Sequence, residues 1–593
     1  MAQLTIQQAF DLALQHHQAG RLHEAEQIYQ QILAQQPEHL DATHNLGVIA
    51  SQVGRYDHAV DLIRRAITLK PDLAEAHSNL GNALKNRGLL DDAIAAYRQA
   101  IALRPNYAEA HSNLGSALRE KGQLDDAIAA YCQAIVLRPD YTEAHNNLGN
   151  ALRDRGQLDE AIAAYRQAIA LMPHYVEAYN NLGAALAGNG QFDEAVAAFR
   201  QAIALRPDLP EAHSNLGNAL RDNDQLNDAI AAYHQAIALR PNYAEALTNL
   251  GISLADKGEL DDAIIAYRRA IQLKPDAADI HWDLAFLLLS MGRFAEGWEE
   301  FEWRLKDETK RLRRDFSAPQ WNGEALAGKT LLLHAEGGFG DAFQFVRYVP
   351  LLRGRAAKMI LECDSALVRL FSDLPGIDEI IARGQALPAF DYHIPLQSLP
   401  RLFKTDLTNI PNAVPYLKVQ PENQASWKAR VKNDGRLKVG LVWAGSPRAK
   451  ISDDLRTRGL DVFAPLGQMP NVRFFSLQKG PESNLARPPG LEMTDFTRDL
   501  NDFADTAALI ENLDLVISVD TSVAHLAGAL AKPVWVLIPF SSDFRWLMDR
   551  TDSPWYPTMR LFRQKQRNDW QGVVAEMADA LMEASLTGNR CLE

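Results

Sequence analysis

Small, apolar and turn-forming residues recur through the first half of the chain with a constant step of 34. Pro37, Pro71, Pro105, Pro139, Pro173, Pro207, Pro241 and Pro275 keep it, as do Gly47, Gly81, Gly115, Gly149, Gly183, Gly217 and Gly251. Within one unit, Ala74–Tyr107, residues Ala76, Leu80 and Leu84 have helical spacing, Gly88 interrupts it, and Ala93, Tyr97 and Ala100 resume it. Asp91 and Asp92 suit the start of a second helix, and Pro105 ends it because proline cannot extend the hydrogen-bond ladder. The pattern predicts helical pairs, nine units from Ile6 to Arg311, each burying its face only by stacking on the next. The ninth differs: Ala285 replaces the glycine, and Trp282, Trp298, Phe301 and Trp303 crowd its helices. That predicts an end cap packed against the second half.

Past Gly328 the period changes. Thr330–Leu352 reads as a buried strand, a glycine loop and a helix, and further strands are predicted at Lys358–Leu361, Tyr392–Pro395, Lys438–Trp443, Val472–Leu477, Leu515–Val519 and Val534–Ile538. Strands alternating with helices imply parallel sheets. Pro411–Gly435 reads as a linker, dividing residues 325–415 from 436–585.

Charge sharpens the division into halves. The chain of 593 residues carries a net charge of −14. Residues 1–311 hold 28 Lys and Arg against 42 Asp and Glu, and residues 312–593 hold 33 of each, so the whole imbalance belongs to the repeats. An acidic array argues against a nucleic-acid partner, since phosphate binding needs a positive surface. Cys132, Cys363 and Cys591 lie far apart without a CxxC pair, which excludes a disulfide scaffold or zinc cluster. No apolar run reaches membrane-spanning length, and Met1–Phe10 lacks the pattern of a signal peptide, so a cytoplasmic protein is expected.

In open parallel sheets, ligands bind beyond the carboxyl ends of the strands, where helix N-termini present free amides. Three places fit. The loop Glu336–Asp341 contains Gly337, Gly338 and Gly340, and Asp341 reads either as a general base or as an acid favouring the positive end of its helix. Val439–Arg458 includes Gly445, Ser446, Lys450 and Arg456; eight basic residues between Arg436 and Lys479 face only three acidic ones. That excess suits a diphosphate, or else a solvated loop. Leu513–Pro539 reads as strand, helix, strand: Asp520 ends the first strand, Thr521 and Ser522 open the helix, and His525 lies in its first turns. Such a helix start is an anion site by geometry. His525 reads as a ligand contact or as a satisfied helix-face histidine.

The 34-residue unit, with Leu80, Gly81, Ala93, Tyr97, Ala100 and Pro105, resembles the tetratricopeptide repeat. The Gly340-Asp341 loop, the block Gly440–Pro447, Ser476–Pro481 and Asp520–Leu537 resemble the heptosyltransferase-type enzymes of glycosyltransferase family nine, whose GT-B fold has two Rossmann-type lobes. The whole layout is similar to bacterial proteins joining an α-solenoid to such a domain, protein and flagellin glycosyltransferases among them. The resemblance implies Asp341 as catalytic base, and Lys450 and Arg456 as neutralising the donor diphosphate. It further implies Asp520, Thr521, Ser522 and His525 as the donor-phosphate segment, and Ser476, Gln478 and Lys479 as lining the nucleotide pocket. It implies a nucleotide sugar as substrate, no metal and no other cofactor.

Asn79, Asn113, Asn147, Asn181, Asn215 and Asn249 repeat one position. In protein O-linked N-acetylglucosamine transferases, similar in layout, such a ladder grips the acceptor's backbone; an amide donates and accepts at once. The other reading is that these asparagines bond to neighbouring helices and hold the array together. His77, His111, His145 and His213 read as surface or groove residues and not as metal ligands. The expected function is sugar transfer from a nucleotide sugar to a protein or peptide acceptor held by the array. The alternatives are a repeat scaffold with a degenerate transferase domain, or a transferase acting on a lipid or surface glycan.

Overall fold

The computed structural model describes residues 5–587 apart from 308, 310, 311, 313, 432 and 446–459. The described residues begin with eighteen helices in pairs, from α1 (Ile6–Gln18) to α18 (Phe294–Phe301). The pairing rests on two kinds of glycine. A Cβ on Gly149 would lie 2.6 Å from the Tyr165 ring, so glycine is what lets the two helices of a pair meet there. Gly156 has φ +87° in the turn between those helices, a conformation that L side chains resist.

The chain divides into two compact units, Met1–Ser253 and Leu254–Glu593. The second starts at the end of α15 (Ala244–Lys257) and takes in the last repeats together with everything after them. The cause lies in the aromatic ninth repeat. Trp298 of α18 meets Phe345, Phe544 and Trp555 edge-on, with ring centroids 6.3, 5.7 and 6.5 Å away. Phe286 of α17 (Ala278–Ser290) meets Phe544 at 5.3 Å.

Beyond the repeats, the described residues form two parallel sheets. The first has order β3-β2-β1-β4, from β1 (Thr330–His334), β2 (Lys358–Cys363), β3 (Glu379–Ala382) and β4 (Tyr392–Pro395). The second has order β10-β9-β8-β5-β6-β7, from β5 (Leu437–Val442), β6 (Val472–Ser476), β7 (Met493–Asp495), β8 (Leu515–Val519), β9 (Val534–Ile538) and β10 (Met559–Arg563). The α-helices among the described residues of this part are α19 (Phe339–Phe345), α20 (Ser365–Phe371), α21 (Leu399–Leu402), α22 (Pro421–Arg430), α23 (Phe503–Glu511), α24 (Ser522–Ala529) and α25 (Trp570–Thr587). Strands β8 and β9 are buried along their whole length, which is why they read as unbroken apolar runs.

β3, β7 and β10 were not expected from the sequence, being short or carrying charged residues such as Glu379, Asp495, Arg560 and Arg563 that mask the apolar run. The expected linker contains α22, started by Pro421 at its first position and anchored by buried Trp427. One hydrophobic cluster runs from Trp298 and Phe301 through Leu331 and Leu361 to Val516 and Val534, joining the ninth repeat to both sheets. A second, holding Leu515, Ile517, Trp535 and Met577 of α25, covers the other face of the six-stranded sheet.

Candidate active site

Strand order decides where the loops meet. In the first sheet β1 lies beside β4, and in the second β5 lies beside β8; at both points successive connections leave in opposite directions. The loops after β1, β5, β6, β8 and β9 border one cleft of about 910 Å³. Its walls include Gly337, Gly338, Phe339, Gly340 and Asp341 from the first sheet's side. Ala444, Gly445, Gln478, Lys479, Asp520, Thr521, Ser522, His525 and Arg545 come from the second.

Asp341 stands in the first turn of α19. Its Oδ2 accepts from the Gly338 amide at 2.8 Å, and its Oδ1 pairs with Arg545. Burial raises the Asp341 carboxyl above the usual carboxylate range, against the opposing pull of Arg545 and the Gly338 amide. Burial works against the charge on Arg545, but Asp543, Asp341 and Asp520 outweigh it and hold the guanidinium firmly protonated. Arg545 Nη1 also reaches both oxygens of Asp543, at 2.7 and 2.8 Å.

The two helices opening on the cleft touch each other. A Cβ on Gly340 would lie 2.9 Å from His525 Cδ2 and 3.7 Å from Ser522 Cα, so this glycine permits α19 to approach α24. Thr521, the N-cap of α24, makes no side-chain bond to its own helix; its hydroxyl is 2.9 Å from Ser518 Oγ. The neighbouring α23 differs, since Asp502 caps it by accepting from Ala504 and Asp505 at 2.9 and 3.1 Å. Among the described residues no side chain caps the start of α24, which borders the cleft through Thr521, Ser522 and Val523, an arrangement that favours an anion.

His525 is 3% exposed, with Nδ1 2.9 Å from the Tyr556 hydroxyl and its ring stacked on Trp546. Burial, reinforced by Arg545 and Arg347, lowers its pKa well below the ordinary value, so the ring is neutral. Its role in this geometry is to hold α24 against Trp546 and Tyr556, with its Cδ2 edge on α19.

Family models match tetratricopeptide repeats over residues 5–72 and 81–118, and the C-terminal domain of cilia and flagella-associated protein 70 over residues 106–312. A further model, glycosyltransferase family 9 (heptosyltransferase), matches residues 500–546, a span that carries Asp520, Thr521, Ser522, His525 and Arg545. The layout is a tetratricopeptide-repeat array followed by a glycosyltransferase-like domain. Protein FlbA of Caulobacter vibrioides (strain ATCC 19089 / CIP 103742 / CB 15) is 28% identical over 333 residues, 50% of this chain and 54% of that protein. The chain therefore spans about half the length of this curated relative. Among solved structures, MamA is 31% identical over 27% of this chain and 95% of its own, with a TM-score of 0.26. YrrB, described as a TPR protein with an unusual peptide-binding site, is 24% identical over 31% of this chain and 95% of its own, with a TM-score of 0.28.

Within this layout, the residues singled out from the sequence have different fates. Gly338, Gly340, Asp341, Gly445, Gln478, Lys479, Asp520, Thr521, Ser522 and His525 border the cleft together. Ser476 does not: it is 1% exposed inside β6, and Leu477 to Gly480 form that edge instead. Gln478 Oε1 accepts from the Trp443 and Ala444 amides at 3.1 and 2.9 Å, fixing the loop after β5, and Lys479 Nζ donates to the Leu500 carbonyl. Ser446, Lys450 and Arg456 lie outside the described residues. Nothing in the sequence around Arg545 marks it; its place after β9, at the carboxyl end of an interior strand, is what brings it to the cleft.

A buried arginine ties the ninth repeat to the glycine loop. Arg304, fully buried, donates through Nε to Glu336 Oε1 at 2.8 Å, through Nη1 to the Phe301 carbonyl at 3.0 Å, and through Nη2 to Ser398 Oγ at 2.8 Å. Gln397 donates to the Glu336 carbonyl at 3.3 Å, so the loops after β1 and β4 are joined below the cleft.

In the array, Asn79 donates to His44 Nε2 at 3.0 Å, Asn181 to Asn146 Oδ1 at 3.0 Å and Asn215 to Asn180 Oδ1 at 3.1 Å, each 35 residues back. These three thus bond to the preceding repeat while staying half-exposed; Asn113, Asn147 and Asn249 stand half-buried at the same position. His77, His111, His145 and His213 each place Nε2 within 3.1 Å of the proline carbonyl six residues earlier, and so tie each turn to its helix. Among the described residues no group of three or more His, Cys, Asp or Glu is placed to hold a metal ion, and no helix is long and apolar enough to cross a membrane.

Proposed function

We propose that the protein moves a sugar from a nucleotide-sugar donor to a protein side chain, using the repeat array to hold the acceptor. The observation that carries this reading is that Asp341 and the N-terminus of α24 border one and the same cleft. The donor's diphosphate lies against the amides opening α24, with Thr521 and Ser522 beside it. Asp341 takes the proton of the acceptor hydroxyl as that oxygen attacks the anomeric carbon, and the bond to the diphosphate breaks with its electron pair leaving on phosphate. One displacement on a GT-B framework inverts the anomeric centre and needs no metal or other cofactor. Gln478 and Lys479 shape the nucleotide end. Asn113, Asn147 and Asn249, with the remaining amide atoms of Asn79, Asn181 and Asn215, offer the backbone contacts for an extended peptide. The raised pKa of Asp341 suits a base that must be deprotonated yet still hold a proton in passing.

Incubating the full chain with a panel of nucleotide sugars and candidate acceptor proteins, followed by mass spectrometry, tests this. Transfer is expected with the native chain and not with Asp341→Asn. Full transfer by that variant would remove Asp341 from the mechanism. Transfer to a glycan that survives deletion of residues 1–240 would replace the protein acceptor by a glycan.

A further inference from the structure

Asp341 meets the cleft with both oxygens engaged, Oδ2 on the Gly338 amide at 2.8 Å and Oδ1 on Arg545. A guanidinium in contact favours the charged carboxylate and so makes it a weaker base. Arg545 does not depend on Asp341 for its place. Its Nη1 is held on Asp543 at 2.7 Å, its Nε donates to Gln344 Oε1 at 2.5 Å, and the Phe544 ring lies 4.6 Å from its centre. Only Nη2 goes to Asp341, and the same side chain borders the cleft beside Thr521 and Ser522. The guanidinium is planar, so Nη2 turns from the carboxylate toward the helix opening only as Nε and Nη1 release Gln344 and Asp543, an exchange that the diphosphate oxygens compensate.

We propose that Arg545 is a two-position cation, pairing with Asp341 in the donor-free enzyme and turning to the donor's diphosphate when a nucleotide sugar binds, so that Asp341 becomes a competent base only after loading. This rests on the glycosyl-transfer reading and adds to it an order of events. In the transfer step the acceptor oxygen forms the new bond to the anomeric carbon and its proton passes to Asp341. The bond from that carbon to the diphosphate breaks, and the negative charge left on phosphate is met by Arg545 and the α24 amides. Before the donor arrives the base is held in its ion pair, so donor binding precedes productive acceptor binding.

The test is calorimetric titration of the full chain with uridine, adenosine, guanosine, cytidine and thymidine diphosphates. It compares the native chain, Asp341→Asn, Arg545→Gln and the double variant, each checked for folding by its melting curve. Asp341→Asn keeps the acceptor atom for the Gly338 amide but releases Arg545, and is expected to bind the accepted nucleotide about fivefold tighter or more. Arg545→Gln is expected to bind more weakly, and in its background the gain from Asp341→Asn should vanish. Where Arg545→Gln fails to fold, Arg545→Met, which keeps the stem over Phe544, takes its place in the same comparison. A gain that persists undiminished without Arg545 would reflect only the lost negative charge and overturn the proposal, leaving the transfer reading intact. So would unchanged or weaker binding by Asp341→Asn. Failure of every diphosphate to bind the native chain would bring down the transfer reading as well.

Discussion

Arg545 and Asp341, 204 residues apart in the sequence, form an ion pair where the loop after β9 meets the first turn of α19. The pair sets the protonation of the proposed base, which leads to a pH prediction. Burial holds the Asp341 pKa above the ordinary range and Arg545 pulls it down. Transfer should therefore fall on the acid side as Asp341 becomes protonated. Removing the cation in Arg545→Gln should move that limb to higher pH. The shift should be larger in kcat/KM, which reports the free enzyme, than in kcat, where Arg545 has turned to the diphosphate. Rate profiles of the two chains between acid and neutral pH check this; a limb that stays in place would separate Arg545 from the base.

Gly340 is expected to be intolerant of a side chain. A valine there would push against the His525 ring, which Tyr556 and Trp546 hold in place, and so separate α19 from α24. Overpacking of this kind costs about 1–3 kcal/mol. Melting curves should register the loss for Gly340→Val, and nucleoside diphosphate binding should weaken with it because the helix opening moves.

Arg304→Met should be far more damaging than an exposed arginine replacement. It leaves Glu336 and Glu302 facing each other without the guanidinium, and breaking a buried ion pair costs about 3–5 kcal/mol. The second variant Arg304→Met with Glu336→Gln should recover part of the loss. Unfolding followed by tryptophan fluorescence reads both, since Trp298 and Trp555 lie in the same core.

The two glycines of one repeat should fail for different reasons. Gly149→Val drives a side chain into the Tyr165 ring and is expected to cost about 1–3 kcal/mol. Gly156→Ala meets no neighbour within 4 Å but must hold φ near +87°, at a cost of about 1 kcal/mol. Urea midpoints of the two variants, followed by helical circular dichroism, should fall in that order.

Acid should destabilise the second unit through its buried histidines. Burial lowers the folded pKa of His525 and of His334 well below the ordinary value. A histidine of this kind is neutral in the fold, so its contribution is present above the unfolded pKa of about 6.5 and is lost as pH falls toward the folded value. Melting temperature should decline below that pH, and the decline should be shallower in His525→Gln.

The sequence alone determined the repeats, because a 34-residue step in glycine, alanine, tyrosine and proline leaves one way to pair and stack the helices, and it located Asp341, Asp520, Thr521 and Ser522 at strand ends. It did not distinguish Ser476, one residue too early to leave β6, from Gln478 and Lys479 just beyond it, and it passed over Arg545, whose segment has no repeating pattern. Which strand lies beside which, and therefore which loops share a cleft, was decided by tertiary structure: register and order come from burying both sheets and the ninth repeat in one core, a property of surfaces that no local spacing encodes. The contact between Gly340 and His525 and the pairing of Arg545 with Asp341 exist only because that packing brings segments about two hundred residues apart within reach.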